Sequence, residues 1–526
     1  MAAGVIFSAV VGELAGRVIS LLAGQFKGQV RTEAKLRKIC HMLVKVHSAI
    51  EEAKGRQITN NGTLEWLSEL NGGLYQGRYL LDTVGCREQE TAEDHNKVDS
   101  QPFSFSLFNP AKRVKSLLCR HEVGVGEKID RVVRILETLS GDLREFLMLL
   151  HSCQPIHRPL GTNILVEGQM FGRHVEKERI INFLLHDGGT GAGTGELGVL
   201  PIVGGMGVGK TTLAQHVCDD ERVRGHFPVI IYSSFSYTLA IMARGEATRV
   251  INSEQALGDA HSFLESVHVV KAEKYLLTKR FLMVFQEVDM RKKQMLEELL
   301  RILRRHGKHG SKIIIITSNR SVASSMGTVE PIRLKALPYP EYWFFFKAHA
   351  FPGRDVEEDP RMVAAGKAIA GKLNGSFFGA KIVGAVLKAR PNPRFWSKVL
   401  RSNIVGMSLL GDGMAYIADL AEKLLPSHAD MCKLTISKNP CPSQTELARL
   451  EDLCQDGPGA HCLAGDDIRF AKVLVCRSIL PFQCLYYTAD CAVRRVGDSS
   501  KFIKIGGSGR LARILPSRKG LAHIDV

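Results

Sequence analysis

The chain has 526 residues, 45% hydrophobic and 24% charged, a balance that supplies several apolar cores and excludes wholesale disorder. At roughly 100–200 residues per domain, that length predicts three or four domains. Its 70 Lys and Arg against 54 Asp and Glu leave a net charge of +16, which permits contact with nucleic acid or an anionic membrane without identifying either.

In chain order, the apolar stretch from Ala2 to Gly24 carries Glu13 and Arg17 and is a poor bilayer span. Ile6, Val10, Leu14, Val18 and Leu21 recur at helical spacing, so an amphipathic helix docked on protein is expected. The opening residues lack the positive region of a secretory signal. The twelve Cys form no C-x-x-C pair, and seven of them (Cys432, Cys441, Cys454, Cys462, Cys476, Cys484, Cys491) lie irregularly near the end. They read as reduced thiols of a cytoplasmic protein.

Leu36, Ile39, Leu43, Val46 and Ile50 alternate at three and four, a heptad seam. Leu67, Leu70, Leu74 and Leu81 continue that rhythm after the breaker Asn60-Asn61-Gly62. Ile129, Val132, Leu136, Leu139, Leu143, Phe146 and Leu150 form a third seam, weakened at Gly141 by about 1 kcal/mol relative to Ala. These runs predict a helical bundle over 1–152. The polar stretch from Arg87 to Pro110 reads as a loop, and the two prolines between Cys153 and Leu160 mark a linker.

After the Gly-rich stretch 187–195, apolar runs alternate with amphipathic helices, which predicts a parallel sheet with crossovers, a P-loop domain over 165–328. The expected strands are Leu200–Val203, Val229–Ser233, Phe281–Phe285 and Lys312–Thr317. A small helical domain follows over 329–402. Residues 403–526 have no assignable fold; Asn439 to Gly465 is rich in turn formers. The whole reads as an α plus α/β multidomain chain.

Gly204-Gly-Met-Gly-Val-Gly-Lys-Thr fits G-x-x-x-x-G-K-[ST] at Gly204, Gly209, Lys210 and Thr211. Glycines let successive backbone N–H groups turn inward around phosphate oxygens, with Gly207 and Val208 completing the loop. Lys210 places an ammonium on the β- and γ-phosphates, and Thr211 offers a hydroxyl to Mg²⁺. The helix opening at Thr211 and Thr212 aims the positive end of its dipole at the anion. Hydrolysis further needs an acid at the end of a neighbouring strand. In Phe281-Leu-Met-Val-Phe-Gln-Glu-Val-Asp, Gln286 stands at that position and supplies no charge. Glu287 is a candidate to orient an attacking water, with a strand-end surface acid as the alternative, and Asp289 is displaced by three positions. Nucleotide binding with slow or absent turnover is expected.

These segments resemble, in order, the coiled-coil branch of the plant nucleotide-binding, leucine-rich-repeat immune receptors, over roughly residues 1–400. Phe171-Gly-Arg-His-Val-Glu-Lys-Glu is similar to the segment that opens their NB-ARC module. Gly204 to Leu213 resembles the P-loop, Phe281–Asp289 the kinase-2 strand, and Gly310-Ser-Lys-Ile-Ile-Ile-Ile-Thr-Ser the sensor strand. Tyr342-Trp-Phe-Phe-Phe fits the next helix, its aromatic run reading as helix core, and Leu373-Asn-Gly-Ser-Phe-Phe-Gly-Ala-Lys the Gly-Leu-Pro-Leu motif. Leu74-Tyr-Gln-Gly-Arg-Tyr-Leu-Leu-Asp-Thr resembles the signature helix of the coiled-coil domain. The resemblance implies an ADP/ATP-binding switch in defence signalling, with Phe171, Gly172 and Arg173 on the base side. It also implies protein partners through the N-terminal bundle, by self-association or receptor pairing.

The chain departs from that pattern in several places. Gln286 replaces the first kinase-2 acid and Asp289 the usual Trp; Ser318 stands where the sensor Arg sits, with Arg320 two residues on. Phe377 and Phe378 stand in place of the Leu-Pro whose proline packs near adenine. No Met-His-Asp motif and no leucine-rich repeats are recognisable. Two alternatives remain: an adaptor or decoy working through the bundle, and a conventional P-loop ATPase. Basic residues around Arg291 and Arg304 and in the tail from Arg494 to Lys519 carry little aromatic interleaving, which argues against nucleic acid and leaves peripheral contact with an anionic membrane open. The set Cys454, His461, Cys462 and Cys476 lacks zinc-ligand spacing.

Overall fold

A computed structural model describes residues 30–95, 125–156, 170–186, 197–205, 207–234, 279–286, 288, 293–306, 308–351, 359–402, 413–426, 429–438, 447–453, 468–480 and 484–494. The Ile6–Leu21 stripe, the stretch 187–195, Glu287, Asp289, Arg291, Cys454, His461, Cys462 and the tail beyond 494 lie outside these residues. Contacts divide the chain into two compact units. One is Met1–Ile164 with Pro338–Phe345 and Gly353–Ala368; the other is Leu165–Leu337 with Phe346–Pro352 and Ile369–Val526. Among the described residues no helix is long and apolar enough to cross a membrane.

The first unit is built on α1 (Val30–Lys54), α2 (Asn61–His95), α3 (Val125–Gly141) and α4 (Leu143–His151). Every seam residue of the three expected runs is buried, because each stripe turns toward the other two helices. Asn60 starts α2 by accepting bonds from the N–H groups of Gly62 (2.8 Å) and Thr63 (3.3 Å). At its other end α2 corrects the sequence expectation: the first part of the supposed loop, Arg87 to His95, is helical. That stretch lacks an apolar period but consists largely of Arg, Glu, Gln and Ala, which sustain a helix by propensity alone. The third seam is interrupted between Gly141 and Asp142, yet its seven apolar residues stay on one buried face.

Two glycines let α2 approach its neighbours. A Cβ at Gly73 would lie 2.3 Å from Leu139 Cδ1, and one at Gly77 would lie 2.6 Å from Leu43 Cδ2. The expected linker begins on the bundle: β1 (Arg56–Gln57) pairs antiparallel with β2 (Gln154–Pro155), and Ile156 N–H donates to Gly55 O at 2.8 Å. The unit is completed by the start of α10 (Tyr339–Ala350) and most of α11 (Pro360–Lys372). Trp343 Nε1 donates to Asp82 Oδ2 at 3.0 Å, and Lys367 Nζ donates to Thr83 Oγ1 at 2.7 Å. The Lys367 ammonium also lies 4.3 Å from the Tyr79 ring centre and 5.6 Å from that of Trp343.

The second unit centres on a five-stranded, all-parallel sheet in the order β4-β5-β6-β3-β7. Its strands are β3 (Gly198–Gly204), β4 (Val229–Ser234), β5 (Phe281–Gln286), β6 (Lys312–Thr317) and β7 (Ile332–Leu334). Four match the expected runs to within two residues at either end; β7, three residues long, carries too short a pattern to be anticipated. Side chains alternate between two cores. Leu282, Val284, Ile314 and Ile316 face α5 (His174–Leu185), α6 (Lys210–Asp219) and α7 (Glu221–His226), while Phe281, Met283, Ile313 and Ile315 face α8 (Lys293–His306) and α9 (Arg320–Met326). Burial on both sides explains the unbroken Ile-Ile-Ile-Ile of β6.

Further helices belong wholly or partly to this unit: the rest of α10, the last residues of α11, then α12 (Phe377–Ala389), α13 (Pro393–Arg401) and α14 (Gly413–Leu424). The region without an assignable fold contains a second sheet, ordered β8-β11-β10-β9. It comprises β8 (Ala429–Lys438), β9 (Ala448–Arg449), β10 (Ile468–Ile479) and β11 (Cys484–Arg494), with the short α15 (Leu450–Leu453) after β9. Leu434, Ala489 and Val473 stand abreast on its buried face. Tyr487 meets Phe378 of α12 edge to face at 5.2 Å. Cys476 and Cys491 are core residues here, and burial pushes their thiols up to about 12 and about 11.

Candidate nucleotide-binding site

The loop from β3 to α6 is built around positions that refuse a Cβ. At Gly204, the last residue of β3, a Cβ would lie 2.5 Å from the carbonyl oxygen of Leu334, because β7 runs beside it. Gly207 and Gly209 sit at φ +72° and +88°, where glycine alone is unstrained. Gly209 then starts α6, its carbonyl accepting from Leu213 N–H at 2.9 Å. The result is a turn of backbone amides at a helix N-terminus, the arrangement that binds phosphate.

Lys210 opens α6 and folds back over the loop, donating from Nζ to Gly204 O (2.9 Å) and Gly205 O (2.7 Å). Burial pulls its pKa from 10.5 down to about 8. Thr211 and Thr212 follow on the first helical turn, half-buried. Tyr232 of β4 donates to Thr211 O at 3.2 Å and ties that turn to the sheet. Val208 is buried at 6% exposure, so its side chain anchors the loop in the core while its backbone lines the turn.

Phe171, Gly172 and Arg173 lead into α5. Gly172 takes a left-handed φ of +67° and Phe171 is half-buried. Arg173 is only 6% exposed. Its guanidinium donates to Val208 O at 3.4 Å, to Lys335 O, and to Glu176 Oε1 at 3.0 Å. Arg173 therefore braces the phosphate loop from behind, a role that spacing in the sequence does not reveal.

Gln286 ends β5, which is separated from β3 by β6 alone. The strand ends are tied together: Val288 N–H donates to Ile316 O at 3.3 Å and Thr317 Oγ1 donates to Val288 O at 2.6 Å. Ser318 and Arg320 are exposed, and Asn319 between them caps α9 through Ser321 and Val322. Among the described residues no cluster of three His, Cys, Asp or Glu side chains suits a metal ion. The glycine cradle and Lys210 fit a di- or triphosphate; for Mg²⁺ the described part of the site supplies one hydroxyl at Thr211 and one neutral amide at Gln286.

One further segment borders the loop. Ser376 caps α12, accepting from Gly379 N–H at 3.0 Å. The nearest atom to a Cβ built on Gly207 is Ser376 Oγ at 4.0 Å, and to one on Gly209 it is Phe377 Cε2 at 3.7 Å.

Comparison with known proteins agrees with this geometry. Residues 173–356 match the NB-ARC domain family, a nucleotide-binding P-loop domain, and residues 10–113 match the Rx N-terminal domain family. The chain is 28% identical over 401 residues to Disease resistance protein RGA2 of Solanum bulbocastanum, covering 74% of this chain and 38% of that protein. It is 27% identical over 393 residues to Putative disease resistance protein RGA1 of the same species, covering 73% and 37%. With Putative disease resistance RPP13-like protein 1 of Arabidopsis thaliana it shares 25% over 414 residues, covering 77% and 38%. The chain thus spans under two-fifths of the length of these relatives. It carries an Rx N-terminal domain followed by an NB-ARC domain, and over these domains it is similar to plant disease resistance proteins.

Proposed function

We propose that the chain is an ADP/ATP-binding switch in plant defence signalling, binding nucleotide firmly and hydrolysing it slowly or not at all. The observation that carries this reading is the loop Gly204–Lys210, whose left-handed glycines and folded-back ammonium make a ready anion cradle. On binding, the amides of Gly207 to Thr212 hold the phosphates. The Lys210 ammonium exchanges its two carbonyl partners for phosphate oxygens, and Tyr232 keeps the first turn of α6 in register. Phe171 and Gly172 border the base side. Thr211 is the hydroxyl available to Mg²⁺ when the metal accompanies ATP.

Slow turnover follows from charge. Gln286 leaves the strand end without the carboxylate that holds the metal and positions water in P-loop hydrolysis, and Glu287, next in sequence, is the candidate to orient a water. The N-terminal bundle is the surface through which the switch meets other proteins, by self-association or receptor pairing, and its net positive chain suits peripheral contact with an anionic membrane.

Lys210→Ala tests the reading. By calorimetry, wild-type protein binds ADP and the variant loses at least a hundredfold in affinity, while Glu287→Gln leaves binding unchanged. Equal affinity in Lys210→Ala and wild type overturns the assignment.

A further inference from the structure

Positive charge is concentrated in one stretch of the chain. From Pro360 to Gly411, 52 residues, there are nine Lys and Arg and no Asp or Glu. At the whole chain's 54 acids in 526 residues, about five would fall in a stretch of that length. At the centre of this run α13 divides its side chains between two faces. Trp396 and Val399 are buried. Arg394, Lys398 and Arg401 are exposed, and at intervals of four and three they share the opposite face. That stripe is about 10 Å long at 1.5 Å per residue, so each cation lies within a Debye length of the next and their fields add.

The stripe sits on a firm frame. Asn392 caps α13, its Oδ1 accepting from Arg394 N–H at 2.8 Å, and Pro393 occupies the first turn. Trp396 Nε1 donates to Leu387 O at 3.2 Å and to Arg390 O at 3.0 Å, which ties α13 to the end of α12. Lys388 is exposed on that last turn of α12. At the other end of α13, Lys372 Nζ donates to Leu400 O. In the bundle, surface cations such as Lys35, Lys38 and Arg56 face carboxylates. Among the described residues no carboxylate pairs with Lys388, Arg394, Lys398 or Arg401.

We propose that the basic stripe of α13 is where the protein rests on an anionic phospholipid bilayer. This gives a surface to the peripheral membrane contact read above, and it depends on that reading. A bilayer that carries phosphatidylserine asks only for charge near its plane, with about fivefold in affinity per Lys or Arg. Nucleic acid asks for more. Trp396 is 0% exposed and Phe395 lies half-buried under the Arg390 guanidinium at 5.2 Å, so α13 offers no ring to a base. Ser397 spends its hydroxyl on Pro393 O at 2.8 Å. A protein interface is built around an apolar anchor. The exposed large apolar side chains among the described residues are Met148, Leu149 and Val329, all outside α12 and α13. The apolar side of α13 is already buried in the protein, so the helix lies on the headgroups without inserting.

Vesicle sedimentation with the full chain tests this, using phosphatidylcholine with and without about one-third phosphatidylserine. Wild type partitions onto the anionic vesicles, does not bind the neutral ones, and is released as salt rises toward about 0.5 M. Arg394→Gln with Lys398→Gln partitions at least about tenfold more weakly, at an unchanged melting temperature because both side chains are exposed. Arg394→Glu with Lys398→Glu loses binding altogether. Arg131→Glu with Arg134→Glu makes the same change of net charge at exposed positions of α3 and stays within about threefold of wild type. Unchanged partitioning of the Gln pair overturns the proposal. An equal loss in the α3 pair overturns it too, because net charge rather than this stripe is then acting. A single-stranded oligonucleotide that competes wild type off the vesicles and no longer binds the Gln pair reassigns the stripe to nucleic acid and overturns it. Wild type that ignores the anionic vesicles removes the membrane reading itself, whereas binding that both α13 pairs leave untouched removes only this surface.

Discussion

The N-terminal bundle and the phosphate loop are specified in opposite ways. In the bundle, information lies in side chains: Leu43, Leu136, Phe146 and their seam partners are buried because they fall at helical spacing. In the loop it lies in side chains that are missing, since Gly204, Gly207 and Gly209 occupy places where a Cβ is blocked by a neighbour or by the backbone angle. A seam tolerates exchange of one apolar residue for another of similar volume. A blocked Cβ tolerates nothing. Gly73 and Gly77 are the exception inside the bundle, and they show the two logics meeting where α2 presses on its neighbours.

The widest gap between the two regions is expected at Gly204→Ala. Its added carbon meets the rigid Leu334 carbonyl at 2.5 Å, and β7 must shift. The expected cost is about 3 kcal/mol, the upper end of overpacking. Faster hydrogen exchange confined to β3 and β7 is the readout. Gly77→Ala meets a flexible Leu43 methyl at 2.6 Å instead, so about 1–2 kcal/mol is expected, read as lost protection in α1 and α2. A bundle variant that costs more than the loop variant would reverse the comparison.

Lys210 sharpens it further. Its pKa is lowered to about 8 without nucleotide, and a phosphate partner raises it again. Affinity for ADP is therefore flat below pH 8 and falls about tenfold per pH unit above it, with proton uptake on binding measurable by calorimetry in buffers of different ionisation heat. The folded, empty protein shows the opposite trend from this group. Desolvation of the ammonium costs stability in full below pH 8, and the cost fades as pH rises toward 10.5.

The smallest effect belongs to the Lys367 junction. Lys367→Met keeps the stem but loses the bond to Thr83 and the contacts with Tyr79 and Trp343. About 1 kcal/mol is expected, seen as faster exchange in residues 75–84 with none in β6. The surface pairs Lys35–Asp130 and Lys38–Glu137, by contrast, contribute little in water.

How much of this was legible beforehand depends on how local the signal is. The three seams repeat a short period within ten or twenty residues, four of the five sheet strands stand out as short apolar runs, and the phosphate loop spells its need for glycine within eight. The extension of α2 through Arg87 to His95 was missed because helix propensity without an apolar stripe looks like a loop. The three residues of β7 carry no period at all, and the second sheet is written in strands whose alternation is broken by bulges near Leu474 and Asp490.

The amino-acid sequence by itself determined the order of helical bundle, P-loop sheet and following helices, and the need for glycine between β3 and α6, because periodicity and backbone permission are properties of neighbouring residues. The tertiary structure alone decided that Arg173 braces Val208 and Lys335 from inside, that Phe377 rather than Phe378 meets Gly209, and that Lys367 settles between Tyr79 and Trp343. Those contacts join residues 24 to 288 positions apart, and their partners are chosen by how the packed elements come together, which no local pattern encodes.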